Sequence, residues 1–241
     1  MRWLPPEREH RGSGLRFANS VRDTRFEALT GKFAHMAVHE IDAAPSAVPG
    51  WCDGLPQLEG ERVRLRELRP SDAPALYRTV RIPEVAQQMW PPPATLEAVE
   101  RFIERTHVKR GLGQYICFGV VPGGETDIAG LFELRPLQPR FFRIELGYFL
   151  HPTWWGTGVF SEAARLVREF SFAVLGVQRI EARVSADNPR GNAALRKIGA
   201  RREGRLRAAF VHNGRYVDQY LWAIVNQGAA PRQRRHRGTS R

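Results

Sequence analysis

Residues 142–184 constrain the fold more than any other part of the chain, because they predict a strand, a helix and a second strand in succession. The first strand, FFRIELGYFL, alternates between an apolar face, which we expect in the core, and a face with a charge and a glycine. The apolar face carries Phe142, Ile144, Leu146, Tyr148 and Leu150, and the other carries Arg143, Glu145, Gly147 and Phe149. The helix GTGVFSEAARLVREFSFAVLG and the strand QRIEARV follow. This succession, over about forty residues, predicts a right-handed parallel crossover unit and therefore an α/β fold.

Two glycines, Gly156 and Gly158, stand where this helix begins. The first amides of a helix lack internal acceptors and lie at the positive end of its dipole, so a phosphate that comes close can bind them. Glycine permits that approach, but a helix start that only needs backbone flexibility would also use glycine, and the residues alone leave both interpretations open. Ser161 stands where a dinucleotide fingerprint needs its third glycine, which argues against that motif. A P-loop is excluded because no Gly-Lys-Ser/Thr follows.

The residues before and after this unit predict further elements of the same domain. ERVRLREL alternates like a half-buried strand, and PSDAPALYRTV and PATLEAVERFIERTHVKRG have the start signals and apolar stripes of helices. QYICFGVV and DIAGLFEL predict two strands joined by the turn PGGET. Further on, DNPRGNAALRKIG predicts a helix with Asn188 as its N-cap, and HNG predicts the turn of a final hairpin.

The two ends of the chain differ from this central part. Residues 1–57 are rich in turn-forming residues without periodicity, and we expect an N-terminal extension that is partly disordered. Residues 58–226 form the predicted domain, and residues 227–241 form a basic tail that we expect to be disordered. The tail has five Arg and no acid, so it supplies much of the net charge of +12. The charge therefore predicts no specific nucleic-acid partner, although the tail could add salt-sensitive affinity for polyanions.

The composition indicates a cytoplasmic protein that does not span a membrane. The two cysteines, Cys52 and Cys117, cannot build a disulfide framework, which favours a reducing compartment. No stretch reaches the ~20 apolar residues of a membrane-spanning helix. No metal site is expected, because His35 and His39 are four residues apart with no third ligand apparent.

Four segments, in order and at matching spacing, resemble the GNAT superfamily of N-acetyltransferases, and the branch they resemble most is that of the ribosomal-protein alanine N-acetyltransferases. The segments are RVRLRELRPSDAPALY, IELGYFLHPTWWGTGVFSEAARL, LGVQRIEARVSADNPRGNAALRKIGARREGRLR and NGRYVDQY. The resemblance covers Leu58 to Val225. It implies a GNAT-like mixed central sheet with splayed parallel middle strands, flanked by helices. It also implies acetyl-CoA as the co-substrate and a primary amine as the acceptor.

The resemblance also implies where the cofactor binds. In the family, the loop before the long helix holds the pyrophosphate through backbone amides, which here belong to Trp155, Gly156, Thr157, Gly158 and Val159. The pantetheine arm lies in the gap beside the preceding strand and reaches the helix after the next strand, here near Tyr148, Phe149, Leu150, Asn188 and Asn192. Three positions before the first glycine, the family usually has Gln or Arg, and this chain has Thr153. The cofactor therefore loses one side-chain partner but keeps the backbone amides.

The chemistry requires a neutral amine, and a carboxylate can take its proton directly or through water. Glu145 matches the acid of the family's strand and is the candidate base, although an ion pair with Arg143 or a strand neighbour explains it equally well. Gly191 replaces the serine that often serves as the acid in this branch, so Tyr220, or else Tyr216, is the candidate proton donor unless both are core or edge aromatics. A thiol with a pKa near ~8.5 could also leave unaided.

The acceptor is the least constrained part of the prediction. A protein N-terminal α-amine, with a pKa of ~7.7–8.0 against ~10.4 for lysine, is the first choice. A small amine such as an aminoglycoside or a polyamine is the alternative acceptor. A non-catalytic CoA-binding module is the alternative to an enzyme, and a homodimer is left open.

Overall fold

The computed structural model describes residues 50–89, 92–138, 141–212 and 214–228. The strands are β1 (Leu58–Glu59), β2 (Val63–Glu67), β3 (Ile116–Pro122), β4 (Gly130–Pro136), β5 (Arg143–Leu150), β6 (Arg179–Ser185), β7 (Arg201–His212) and β8 (Arg215–Val225). The α-helices are α1 (Ala73–Val80), α2 (Pro83–Ala86), α3 (Leu96–Gly111), α4 (Val159–Ala173) and α5 (Pro189–Lys197). The strands form one sheet in the order β1-β2-β3-β4-β5-β6-β8-β7.

Strands β5 and β6 are parallel neighbours that separate along their length. Their pairing runs only from Arg143–Arg179 to Glu145–Glu181. β5 then continues to Leu150 along β4, and β6 continues to Ser185 along β8, with no pairing between them. The sheet therefore splits toward the carboxyl ends of these two strands, and α4 connects them on one face. The mixed sheet with splayed parallel middle strands, predicted from the sequence, is confirmed.

Helices cover both faces of this sheet. On one face α4 packs its apolar stripe, including Val167, against Phe118 and other buried side chains of the strands. On the other face α1 and α3 contribute residues such as Leu76 and Ile103 to a second buried cluster. Glu145 was expected on a face away from the core, but that face is covered too, and the residue is only 2% exposed.

Two predictions about the core need correction. The packed domain begins before residue 58, because Trp51 and Cys52 are buried and the Trp51 ring lies edge-on to Phe141 with the ring centroids 5.1 Å apart. Phe142 was predicted in the core but is 54% exposed. It precedes the first residue of β5, so the strand does not hold its side chain toward the interior.

Most of the N-terminal extension and the basic tail, with His35 and His39, lie outside the described residues, so the predictions for them stay predictions. In the described part of the chain, none of the helices combines the length and the apolar character needed to cross a bilayer.

Candidate active site

A cavity of about 370 Å³ opens where β5 and β6 separate. Both faces of β5 reach it, because Leu146 and Tyr148 line it from one face and Gly147 and Phe149 from the other. A strand can offer both faces to one cavity only where its neighbour has moved away. The rest of the lining comes from β4, from β6 and the turn after it, from the helices α1 and α3, from residues 87–89 and 93, and from the β7–β8 hairpin. It includes Arg183, Leu76, Phe102, Phe210, Val217 and Gln219.

At the start of α4, several backbone N–H groups have no acceptor among the residues that the structure describes. Gly156 and Gly158 have φ values of 81° and 93°, in the left-handed region that favours glycine. The hydrogen bonds of the helix begin with the N–H of Glu162, which donates to the carbonyl of Gly158 at 3.1 Å. Within the described ranges, the amides of Gly156, Thr157 and Gly158 therefore find no acceptor. Unpaired donors at the positive end of a helix suit an anion.

Trp155 has a different role from the one predicted. Its amide already donates to the carbonyl of Pro152 at 3.0 Å, because Pro152–Trp154 form a 3-10 turn. Its indole N–H donates to the carbonyl of Leu150 at 2.8 Å, and the guanidinium of Arg190 lies 4.1 Å from the centre of its ring. Trp155 thus fixes the loop to the end of β5 and the start of α5. The N–H of Val159 lies 3.5 Å from the hydroxyl of Thr157, so it too is not wholly free.

The turn between β1 and β2 is held against the start of α4. The carboxylate of Glu162 accepts hydrogen bonds from the backbone N–H groups of Glu61 and Arg62, both at 2.8 Å. The guanidinium of Arg62 consequently lies beside Gly158, where an added Cβ would be 2.9 Å from Nη1. A cation at this position adds to the positive potential of the helix start.

The two predicted asparagines at the start of α5 differ in their freedom. Asn188 caps the helix by accepting from the N–H of Gly191 at 2.8 Å, and it also lines the cavity. Asn192 donates to the carbonyls of Ser185 and Asn188 at 2.9 and 2.7 Å and accepts from Trp222 at 2.9 Å. Asn192 is 6% exposed, and both ends of its side-chain amide are hydrogen-bonded within the protein, so it stabilises the β6–α5 connection.

Tyr148 connects β5 to the same helix. Its hydroxyl donates to the carbonyl of Gly191 at 3.1 Å, so a phenol lies beside the residue that replaces the family's serine. Burial raises the pKa of Tyr148 above its ordinary value, and the hydroxyl therefore keeps its proton at neutral pH.

Glu145 and Tyr220, the predicted base and acid, are not among the residues that line the cavity. The Glu145 carboxylate lies between Arg135 and Arg183, with N–O distances of 3.6 and 3.5 Å. Burial raises the pKa of Glu145, and these two arginines act in the opposite direction. Tyr220 is partly buried against the core, and the guanidinium of Arg202 lies 4.6 Å from the centre of its ring.

A different acid, Glu133 on β4, does line the cavity. It lies directly across the strand pair from Gly147, and its carboxylate occupies the space that a side chain at Gly147 would fill. The hydroxyl of Tyr115 donates a hydrogen bond to it, and Nη2 of Arg135 lies 3.6 Å away.

Comparison with known proteins identifies the family. Residues 62–201 match the family described as acetyltransferase (GNAT) domain. The "Uncharacterized N-acetyltransferase YoaA" of Bacillus subtilis (strain 168) is 30% identical over 176 residues, which are 71% of this chain and 97% of that protein. The chain belongs to the GNAT acetyltransferase family.

Two other similarities bear on this GNAT protein. Spermidine N(1)-acetyltransferase of Escherichia coli (strain K12) is 32% identical over 88 residues, 36% of this chain and 47% of that one. RimL, a ribosomal L7/L12 alpha-N-protein acetyltransferase solved in complex with coenzyme A, shares the fold with a TM-score of 0.64 at 20% identity, over 70% of this chain and 98% of that one. The family predicted from four sequence segments is confirmed, and the protein is an acetyl-CoA-dependent N-acetyltransferase.

Among the ten predicted cofactor residues, Tyr148, Phe149 and Asn188 line the cavity, and the predicted acids do not. The glycines at the start of α4 are not among its lining residues. Sequence reasoning missed Glu133 and its partner Tyr115. The available signal was Gly147, since a glycine inside a strand marks a close approach by another group.

Proposed function

We propose that the protein acetylates the N-terminal α-amine of another protein, with acetyl-CoA as the donor. The observation that carries this proposal is the single cavity, which joins the gap between β5 and β6 to a largely apolar pocket under α1, α3 and the β7–β8 hairpin. A thioester in the gap and an amine in the pocket would meet in one cavity, which holds the reacting groups close together.

The chain's own groups support a defined position for the donor. We assign the diphosphate to the free amides of Gly156, Thr157 and Gly158, with the Arg62 guanidinium beside them. We assign the pantetheine arm to the unpaired end of β5, because backbone groups there have no partner on the side of β6. Acetyl-CoA supplies the acyl group as an activated thioester. The amine nitrogen attacks the carbonyl carbon, the C–N bond forms, and the C–S bond breaks with CoA leaving as the thiolate.

The lining of the pocket favours an acceptor with one amine on an apolar group. Among the described residues that line it, Glu133 and Asp187 are the carboxylates, and Arg183 adds a positive charge. A polyamine or aminoglycoside carries several cations and needs more acidic partners than this. An α-amine is also about one-third neutral at pH 7.5, against about one-thousandth of a lysine amine.

Turnover with a panel of amines tests the proposal. The purified full chain is given acetyl-CoA and a peptide with a free N-terminus, and free thiol and peptide mass are followed. We expect acetylation of that peptide and none of the matched peptide whose N-terminus is blocked but whose lysine is free. Faster turnover of spermidine or an aminoglycoside contradicts the acceptor. Binding of CoA without turnover of any amine contradicts the enzymatic proposal and supports the CoA-binding module.

Three other proposals rest on the sequence. The cytoplasm is the proposed location, and the free, buried Cys52 and Cys117 fit its reducing conditions. The charge pattern supports no specific nucleic-acid partner. The third proposal is a homodimer, which light scattering of the full chain would distinguish from a monomer.

A further inference from the structure

Glu133 lines the cavity opposite the part of β5 where the pairing with β6 ends. Its partner across the strand pair, Gly147, is two residues beyond Glu145, where the pairing of β5 with β6 ends. A Cβ at Gly147 would clash with the Glu133 carboxylate, so the carboxylate lies over the strand at the start of the gap. The side chain is 12% exposed and lines the cavity. The acid is therefore enclosed but accessible to a molecule in the cavity.

The neighbours of Glu133 fix its orientation. Tyr115 is buried, and burial first and the charge of Glu133 second raise the pKa of its phenol well above the ordinary value. The phenol therefore stays protonated and donates to one carboxylate oxygen. Arg135 faces the other oxygen at 3.6 Å. Glu133 also acts electrostatically on Cys117 and Glu145, and raises the pKa of each.

Glu145 is enclosed more deeply. Its side chain is 3% exposed, and Arg183, which pairs with it at 3.5 Å, is the member of the pair that lines the cavity. A carboxylate between two guanidinium groups holds those cations in place. Of the two strand acids, Glu133 is the one that lines the cavity.

We propose that Glu133 is the catalytic base of this acetyltransferase and that Tyr115 is its positioning residue. The inference rests on the proposed acetylation of an amine. As the nitrogen bonds to the thioester carbonyl carbon, its proton passes to the Glu133 carboxylate, directly or through one water. The C–S bond then breaks, CoA leaves as the thiolate, and Glu133 releases the proton to solvent.

The central variant is Glu133→Gln, which keeps the size of the side chain and an oxygen that can accept from Tyr115. We expect kcat to fall by about 10²-fold or more at pH 7, with the Kd for CoA unchanged. The deficit should shrink at pH 9, where hydroxide can remove the proton. Glu104→Gln, on the exposed surface of α3, is the matched control and should keep the wild-type kcat. Should Glu133→Gln fail to fold, Glu133→Asp keeps the charge and should retain part of the activity.

Two further variants separate a base from a structural residue. Glu133→Ala should regain part of its kcat when formate is added, because a small carboxylate can occupy the vacated space. Tyr115→Phe should lower kcat and leave the KM for acetyl-CoA unchanged. The assignment of the base fails, and the proposed function stands, if the wild type acetylates the peptide but the kcat of Glu133→Gln falls by less than about threefold. The same holds if the kcat of Glu145→Gln falls further than the kcat of Glu133→Gln. If the wild type acetylates no amine, both fail.

Discussion

Substituting Gly158 with Ala changes both the stability of the fold and the proposed diphosphate site. Gly158 has φ 93°, and a non-glycine residue in this left-handed region costs about 1–2 kcal/mol. That cost should lower Tm by about 2–8 °C in a domain of this size. The added Cβ would also lie 2.9 Å from Nη1 of Arg62, so the guanidinium must move. If this movement removes one charge-assisted hydrogen bond to the phosphate, the binding free energy of CoA falls by about 1.5–3 kcal/mol, which is roughly 10- to 100-fold in affinity.

Gly199→Ala is the matched control for this experiment. Gly199 follows α5 with φ 86°, and an added Cβ there would contact nothing within 4 Å. Calorimetry should show a similar fall in Tm for both variants, because both place alanine at a positive φ. Titration with CoA should show weaker binding for Gly158→Ala alone. Equal CoA affinity in Gly158→Ala and the wild type, with Tm lowered in both variants, would refute the assignment of the diphosphate to these amides.

Three other predictions concern buried polar groups. Burial raises the pKa of Glu145, so its contribution to stability is present below its unfolded pKa of ~4.3 and is lost as pH rises through the raised value. The unfolding free energy of the wild type relative to Glu145→Gln, from urea titrations, should therefore fall between pH 4 and 7, and a rise would contradict the sign. Asn188→Ala removes the cap bond from the N–H of Gly191 and should lower the unfolding free energy by about 1 kcal/mol. Asn188→Asp should keep most of that stability, because a carboxylate can also accept the bond. Equal thermal stabilities of the two variants would rule out the cap. Asp72→Asn breaks the buried ion pair with Arg66, which has two hydrogen bonds of 2.7 and 2.8 Å. The unfolding free energy from urea titration should fall by about 3–5 kcal/mol, and a fall below about 1 kcal/mol would show that the pair is solvated.

The parts of the fold that local pattern determines were predicted well. The crossover unit from Arg143 to Ser185 follows from period-2 and period-3.6 patterns in adjacent segments, and the structure confirms it. The glycine positions at the start of α4 follow from backbone sterics, because both have positive φ. The Asn188 cap follows from a short polar side chain three residues before the amide it accepts from.

The predicted acids depended on information that lies outside any one segment. Strand alternation places Glu145 and Phe149 on the same face, but it does not state that α1 and α3 cover that face. The pairing of Glu133 with Gly147 is set by the register of β4 against β5, which depends on how the intervening residues turn. The amide of Trp155 was predicted free because the 3-10 turn of Pro152–Trp154 was not recognised in the sequence. The first two features depend on tertiary contacts, and the third is a local turn.

A crystal structure of the full chain with CoA bound would show where the donor lies. We expect the diphosphate on the amides of Gly156, Thr157 and Gly158, and the pantetheine arm between β5 and β6 with its thiol pointing toward Glu133. A diphosphate bound elsewhere, or a pantetheine arm outside the gap, would contradict the assignment of the donor site and with it the proposed chemistry.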